Sequence, residues 1–392
     1  MTDYQYEKTG QTSADITGCL HIQNTLYIPA SLDGNSVRGI GRNAFHGQTK
    51  LRHLIIEEGI GSIGPEAFSG CDRLETVVLP QSLLYIGSGA FSHCHSLRSI
   101  VLPSGLLSIG PEAFEDCRNL SKILLPDSIT VISGGLFRGC SALEEIFLPN
   151  SLSEVRGNAF ESCVSLSACT LPDTVTQIGN QAFYGCTALK EFTFPKSLTV
   201  IGESVFGCCT SLQTIYTYHW VFQMGFLGNT AHADIAFLDQ KGNVFLRLFY
   251  TDDWRSFLPQ GRAQLMLSLY HAPEHIDYPL YDDTTNLLLL PQDRAYMSLL
   301  RLLYPVSLPK SIQKKYEEFI SLHIAELFPI ILERNLADGL LLLTRRGLIP
   351  LEFTDTAIRL CLEEGRTDFT AILLNYKNSL SGGSSLDRLF LL

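Results

Sequence analysis

Positive charge is scarce in this chain. Its 29 lysines and arginines stand against 40 aspartates and glutamates, a formal net charge of -11. The deficit holds on both sides of Leu212, with 13 basic against 20 acidic residues up to that point and 16 against 20 after it. Neither part offers the basic footprint that a phosphate backbone or an anionic membrane surface requires, so nucleic acid is excluded as the expected partner. Long apolar runs are also missing. None approaches the roughly 20 residues of a membrane-crossing helix, and no membrane insertion is expected. The opening stretch MTDYQYEKTGQTSADITG lacks the apolar segment of a secretory signal, which makes a cytoplasmic chain the expectation.

Motifs that carry chemistry are scarce as well: there is no G-x-S-x-G, H-E-x-x-H or P-loop. The paired acids Glu57-Glu58 and Glu144-Glu145 would point to opposite faces of a strand and cannot converge as an acid/base pair. They read as solubilising surface charge. The stretch His93-Cys94-His95 and the pair Cys208-Cys209 lack the spacing of a zinc site. No enzyme activity, cofactor or metal is expected.

What the chain does have is apolar material, 45% of 392 residues against 18% charged, arranged with a fixed period. Phe45, Phe68, Phe91, Phe114, Phe137, Phe160, Phe183 and Phe206 follow one another at steps of 23 residues, with no insertion. Cysteine keeps the same step from Cys71 to Cys209, leucine from Leu51 to Leu212 and proline from Pro80 to Pro195. A period of this length predicts a stacked array in which each unit buries its apolar face only against its neighbours. Within a unit, the alternating LETVVLP predicts a short strand that ends at its proline. Leu83 and Ile86 return the chain, Gly87 permits a turn, and Ala90-Phe91 packs beneath the strand layer. In-register cysteines would lie about 4.8 Å apart, within disulfide reach. Their Cβ vectors run parallel, however, and seven is an odd number, so buried thiols are expected.

The unit IG..AF..C..L..I.LP.SL resembles the BspA-like branch of the leucine-rich repeats over about half the chain. The position usually held by asparagine carries Ser82, Gly105, Ser128, Ser151, Thr174 and Ser197 instead, so no asparagine ladder is expected. The resemblance implies a bacterial or protist setting, with relatives that act as surface proteins attaching to host or microbial ligands. Residues 1–45 read as an N-terminal cap hairpin and irregular first coil, in which Pro29 and Ile40 are 11 apart where Pro80 and Ile86 are 6 apart. Residues 46–217 read as the solenoid.

On such a coil Leu74, Val77 and Leu79 face inward, leaving Thr76 and Val78 on the predicted concave face. The central column then reads Ile55, Val78, Val101, Leu124, Phe147, Thr170, Thr193 and Tyr216. The column beside it reads His53, Thr76, Ser99, Lys122, Glu145, Ala168, Glu191 and Thr214. The candidate binding residues are Val78, Val101, Lys122, Leu124, Glu145, Phe147, Glu191 and Tyr216. Ile55 to Phe147 form an apolar stripe, and three readings of it stay open: a partner site, a surface covered by the chain's own C-terminal part, or the ordinary preference of β-branched residues for strands.

After Leu212 the register ends. Residues 218–290 read as a β-containing capping and linking region, with a hairpin turning at Lys241-Gly242-Asn243 and with Trp220, Phe222 and Phe226 as core plugs. Residues 291–378 read as a helical domain. In it SIQKKYEEFISLHIAEL sets Ile312, Tyr316, Phe319, Ile320 and Leu327 near one face, and Gly347 and Gly365 act as helix C-caps. Two similar elements 30 residues apart give this part a weak resemblance to ankyrin-type repeats. Residues 379–392 read as a tail.

The fold class is therefore α/β: a mostly β leucine-rich repeat solenoid, a β-hairpin cap and an α-helical domain. The expected function is a non-catalytic scaffold that binds a protein partner through its concave face, in an oligomeric state left open. A cell-surface adhesin is the alternative. A third reading makes the C-terminal domain an enzyme, drawing on His271, His275, Asp282, Asp283 and Asp293, with the solenoid as its targeting arm.

Overall fold

The computed structural model describes residues 4–218, 227, 232–251, 290–306 and 308–380. The chain divides into two compact units, residues 1–233 and 234–392. The first is a solenoid of about nine coils.

Most coils contribute two short parallel strands rather than one, the coil at Ser99 making only a single bridge to Lys122 in the first ladder. The first ladder contains Thr25–Ile28, His53–Ile56 and Thr76–Val78, then Lys122–Leu124 paired with Glu145–Phe147, then Glu191–Thr193 paired with Thr214–Thr217. The second contains Asn35–Ile40, Ser62–Ile63, Tyr85–Ile86 and Ser108–Ile109, and continues in Val131–Ile132, Glu154–Val155, Gln177–Ile178 and Val200–Ile201. Partners in both ladders are 23 residues apart wherever the coils are regular, so the sequence period is the register.

Inside the coils, the phenylalanines stack face to face. Ring centroids are 5.1–5.9 Å apart from Phe45 through Phe206, with interplanar angles of 4–17°. All eight rings are fully buried, and the leucine column is buried with them. This column is the core of the solenoid, and each ring contributes apolar burial of the order of 2–3 kcal/mol. The backbone is tied at the same level: Phe68 N–H donates to the carbonyl of Ala90, and Phe91 N–H to that of Ala113, at 2.8 and 2.9 Å.

The cysteine column is made of buried free thiols, as the sequence predicts. Each thiol also donates to the phenylalanine carbonyl of the coil before it, from Cys71 to Phe45 at 3.3 Å through Cys209 to Phe183 at 3.1 Å. Burial pushes the Cys71, Cys117 and Cys209 thiols up to about 12. Where other leucine-rich coils would carry asparagine, a hydroxyl ladder takes over. Ser82 donates to the Ile60 carbonyl at 2.9 Å, Ser151 to that of Ile129 at 3.1 Å and Thr174 to that of Leu152 at 2.6 Å.

Gly87 is needed for a different reason from the one its turn suggests. Its φ is not in the left-handed region. A Cβ there would stand 2.5 Å from the nitrogen of Pro65 in the adjoining coil, so the glycine permits close stacking. The left-handed residues lie elsewhere, in the column Asn43, Glu66, Gly89, Glu112, Gly135, Asn158, Gln181 and Ser204, and in a second column four residues on.

The N-terminal cap differs in detail from the sequence reading. The capping hairpin is Tyr4–Lys8 paired antiparallel with Ser13–Cys19, which continues the second ladder into Asn35–Ile40. The segment from Thr25 to Ile40 is a full coil. Its five extra residues form a small hairpin, Ser31–Leu32 against Asn35–Ile40, turning through Asp33 and Gly34 at φ 49° and 80°. Asp-Gly at two consecutive positive φ values is the pairing that a two-residue hairpin turn requires.

The second unit opens within the hairpin His232–Leu238 and Val244–Thr251, which turns through Asp239–Asn243 where it was predicted. Among the described residues six helices follow: α1 (Pro291–Leu303), α2 (Lys310–Leu322), α3 (Ile324–Glu333), α4 (Ala337–Arg345), α5 (Leu351–Glu363) and α6 (Thr367–Leu380). The helix expected through SIQKKYEEFISLHIAEL is broken at His323, whose N–H is shared between the Phe319 and Ile320 carbonyls, so Leu327 belongs to α3. Gly347 and Gly365 cap α4 and α5 at φ 67° and 68°, and the N–H groups after them return to Leu343 and Cys361. The α6 helix runs through Leu380, two residues into the predicted tail. Asp234 on the hairpin is buried and accepts from the Tyr296 hydroxyl of α1, with Arg247 at 3.5 Å and Arg334 at 3.3 Å. Burial pushes its carboxyl up, opposed by Arg334, Tyr296 and Arg247. Trp220, Phe222, Phe226 and residues 381–392 lie outside the described residues. None of the described helices is long and apolar enough to cross a membrane.

Candidate binding face

The first ladder presents one side chain per coil outward at each of two columns, because alternate residues of a strand face opposite ways. In the central column Val78 is 55% exposed, Val101 80%, Leu124 64% and Phe147 45%. Their strand neighbours Val77, Ile100 and Ile123 are buried, and Ile146 is half-buried. Inward and outward sets are thus separated as predicted.

The stripe is longer than the 23-residue step reveals. Tyr27 pairs with Ile55, which pairs with Val78, so the outward apolar column starts at Tyr27. Its step to Ile55 is 28 residues, because the Asp33-Gly34 hairpin lies between them. The Tyr27 hydroxyl is bonded to the Glu57 carboxylate, which raises the phenol above its ordinary value. Glu57 in turn is held low, first by the Ala30 N–H at 2.6 Å and then by Tyr27.

Polar residues line the stripe on one side. His53 Nδ1 meets Thr76 Oγ1 at 2.9 Å. Lys122 and Glu145 stand opposite each other in the ladder and form an ion pair at 2.7 Å. The same Lys122 ammonium lies 4.8 Å from the centre of the Phe147 ring. All three groups are solvated, so the pair contributes little stability, of the order of 0–1 kcal/mol. Its effect is to fix polarity beside the ring. Beyond Phe147 the small side chains of Ala168 and Thr170 leave a depression of about 550 Å³, lined also by Glu144, Glu145 and Asn150.

The far end of the face differs from the columns drawn from sequence. Glu191 is exposed, as expected, but Tyr216 is half-buried and Thr214 is only 6% exposed. The accessible apolar stripe therefore covers Tyr27 to Phe147. Of the groups set aside as raw material for an enzyme, His271, His275, Asp282 and Asp283 lie outside the described residues, and Asp293 is buried in α1.

The profile of the BspA type leucine rich repeat region matches residues 24–140 and 107–225 in six copies, together about half of the chain. No curated protein matches. Among solved structures, a leucine-rich repeat protein of T. pallidum is similar at 29% identity and a TM-score of 0.43, over 53% of this chain and 87% of that one. A leucine-rich repeat protein from Bacteroides ovatus is similar at 25% identity and 0.42, over 60% and 75%. A leucine-rich cell surface protein from Faecalibacterium prausnitzii is similar at 25% and 0.42, over 64% of this chain and 62% of its own. The family match ends at residue 225, before the helices, and the ankyrin-type resemblance expected of them is not confirmed.

Proposed function

The chain belongs to the BspA-type leucine-rich repeat family, and from that premise we propose that it is a non-catalytic scaffold that binds a protein partner through the first-ladder face of its coils. The observation that carries this reading is the stripe itself. Tyr27, Ile55, Val78, Val101, Leu124 and Phe147 are all exposed, on successive coils, with a charged pair at their flank. A contiguous exposed apolar patch rimmed by polar groups is the anatomy of a contact surface. The coils hold it by backbone ladders, the phenylalanine stack and the hydroxyl ladder, so association does not have to order loops. Val101, Leu124 and Phe147 form its centre.

We infer a reducing compartment, the cytoplasm, for this role. The cysteine column works as thiol donors to carbonyls, a task that only the reduced form performs.

The test compares wild type with a Val101→Asp, Leu124→Asp, Phe147→Asp triple variant whose fold is verified by circular dichroism. A partner retained by the wild type should bind the variant at least ~100-fold more weakly, since central contacts carry most of an interface's energy. Equal retention by both proteins would remove this face from consideration.

A further inference from the structure

The turn that follows each stacked phenylalanine varies from coil to coil. One position reads Gly70, His93, Asp116, Gly139, and the position two residues later reads Asp72, His95, Arg118, Ser141. Because the coils are in register, a residue meets its counterpart 23 positions away. His93 Nδ1 lies 3.3 Å from Asp116 Oδ2, and His95 Nδ1 lies 3.3 Å from Asp72 Oδ1. One potential ligand atom each from His93, His95 and Asp116 falls within 4.8 Å of the other two. Cys94, between the histidines, turns inward and donates to the Phe68 carbonyl, so it stands apart from this cluster.

Two further features bear on what the cluster can hold. His95 Nε2 is a buried atom with no hydrogen-bond partner. With Asp72 facing Nδ1, the ring proton belongs on Nδ1 and the lone pair on Nε2, which is how a carboxylate prepares a histidine to bind a metal. His93 and Asp116 are held at φ 58° and 53°, where the flanking coils carry Gly70 and Gly139. Both side chains therefore stand in a conformation that glycine adopts more cheaply, and both remain accessible, at 47% and 27%.

We propose that His93, His95 and Asp116 form a three-ligand site for a zinc ion, with Asp72 orienting His95 and a fourth position open to water or to a donor on a bound molecule. Two imidazoles and one carboxylate are ordinary zinc ligands, at about 2.0–2.2 Å from the metal. Tetrahedral binding would bring the ligand atoms to about 3.3 Å from one another. The 4.8 Å spread closes by rotation of the exposed His93 and the half-buried Asp116 side chains. Asp72 and Asp116 supply two negative charges and Arg118 one positive charge, with its Nη2 3.5 Å from Asp116 Oδ2. Arg118 competes with the ion for Asp116.

The test is titration of the full chain with Zn²⁺ against a chromophoric chelator, with a non-thiol reductant present. The expected result is one equivalent bound in the micromolar range or tighter. His95→Gln and Asp116→Asn should each weaken binding at least ~10-fold, Asp72→Asn about 10-fold, and Arg118→Gln should strengthen it. These side chains are at least partly solvated, so the metal-free variants should melt close to wild type, and zinc should raise the melting temperature of wild type and Arg118→Gln more than that of His95→Gln, Asp116→Asn or Asp72→Asn. Co²⁺ in the same site should give a d–d spectrum without a thiolate charge-transfer band. Absence of saturable binding, affinity unchanged in both His95→Gln and Asp116→Asn, or a thiolate band would each overturn the assignment.

Discussion

The thiol of Cys140 donates to the carbonyl of Phe114, 3.1 Å away and one coil earlier, and that carbonyl also accepts the Cys117 N–H at 3.2 Å. Both lone pairs are thereby used at the point where one coil is laid on the next. A small side chain with a donor meets this need, and an alanine does not. Cys140→Ala should lower unfolding free energy by about 1–2 kcal/mol, combining a lost weak donor with a small cavity. Chemical denaturation measures it, and an unchanged midpoint would show that the thiol is merely space-filling.

The same burial sets thiol reactivity. Cys117, Cys169 and Cys209 are pushed up to about 12, and Cys94, Cys140, Cys163 and Cys186 well above their ordinary value, all by desolvation. Since the thiolate is the nucleophile, these groups should resist alkylation at pH 8 until the protein unfolds. Cys19 and Cys208 are the half-buried thiols and should be labelled first. Mass spectrometry of briefly alkylated native protein reads the order directly.

In the second unit, Asp234→Asn removes the carboxylate on which Arg247, Arg334 and Tyr296 converge. Breaking a buried charge cluster from one side costs about 3–5 kcal/mol. Thermal unfolding should show the second unit melting earlier while the solenoid transition stays in place, as expected for an array stabilised by nearest neighbours. A shift of both transitions together would mean that the two units unfold as one.

The turn of the second hairpin carries a pH signature. Asp239 accepts the Asn243 side chain and the N–H groups of Asn243 and Lys241, which hold its carboxyl below the ordinary 3.8. A carboxyl lowered in the fold stabilises the turn above its unfolded value, and this contribution fades as pH falls through the lowered folded value. The Lys241 and Asn243 amides should therefore stay protected near pH 4 and lose protection only below it. Amide exchange followed by NMR tests the window.

How much of this was legible depends on where the information sits. The columns of Phe91, Cys94 and Leu97 could be read because each residue packs mainly on its own counterpart, so the sequence period and the spatial repeat coincide. The outward set from Ile55 to Phe147 followed from strand alternation. Tyr27 escaped because the Asp33-Gly34 hairpin changes its spacing, although Asp-Gly was itself the signal for that insertion. The second ladder was obscure because two residues per coil are too few to alternate. The left-handed conformation of Glu66 and Glu112 carries no signature in those residues themselves and shows only in their counterparts Asn43, Gly89, Gly135 and Asn158, with which they share the hydrogen bonds between coils. The approach of Asp116 to His93 is the reverse case: a single step of 23 links them, yet ligand spacing along the chain does not display a contact made across the coils.

The central claim is that the stripe from Tyr27 to Phe147 receives the partner. Its most direct test is NMR of protein labelled at valine, leucine and isoleucine methyls, titrated with a partner captured by the wild type. The account predicts that Ile55, Val78, Val101 and Leu124 shift or broaden together while buried methyls such as Val77 and Leu97 and the helical Leu343 and Leu373 stay in place. Perturbation confined to residues 291–380, with the stripe unmoved, would contradict it.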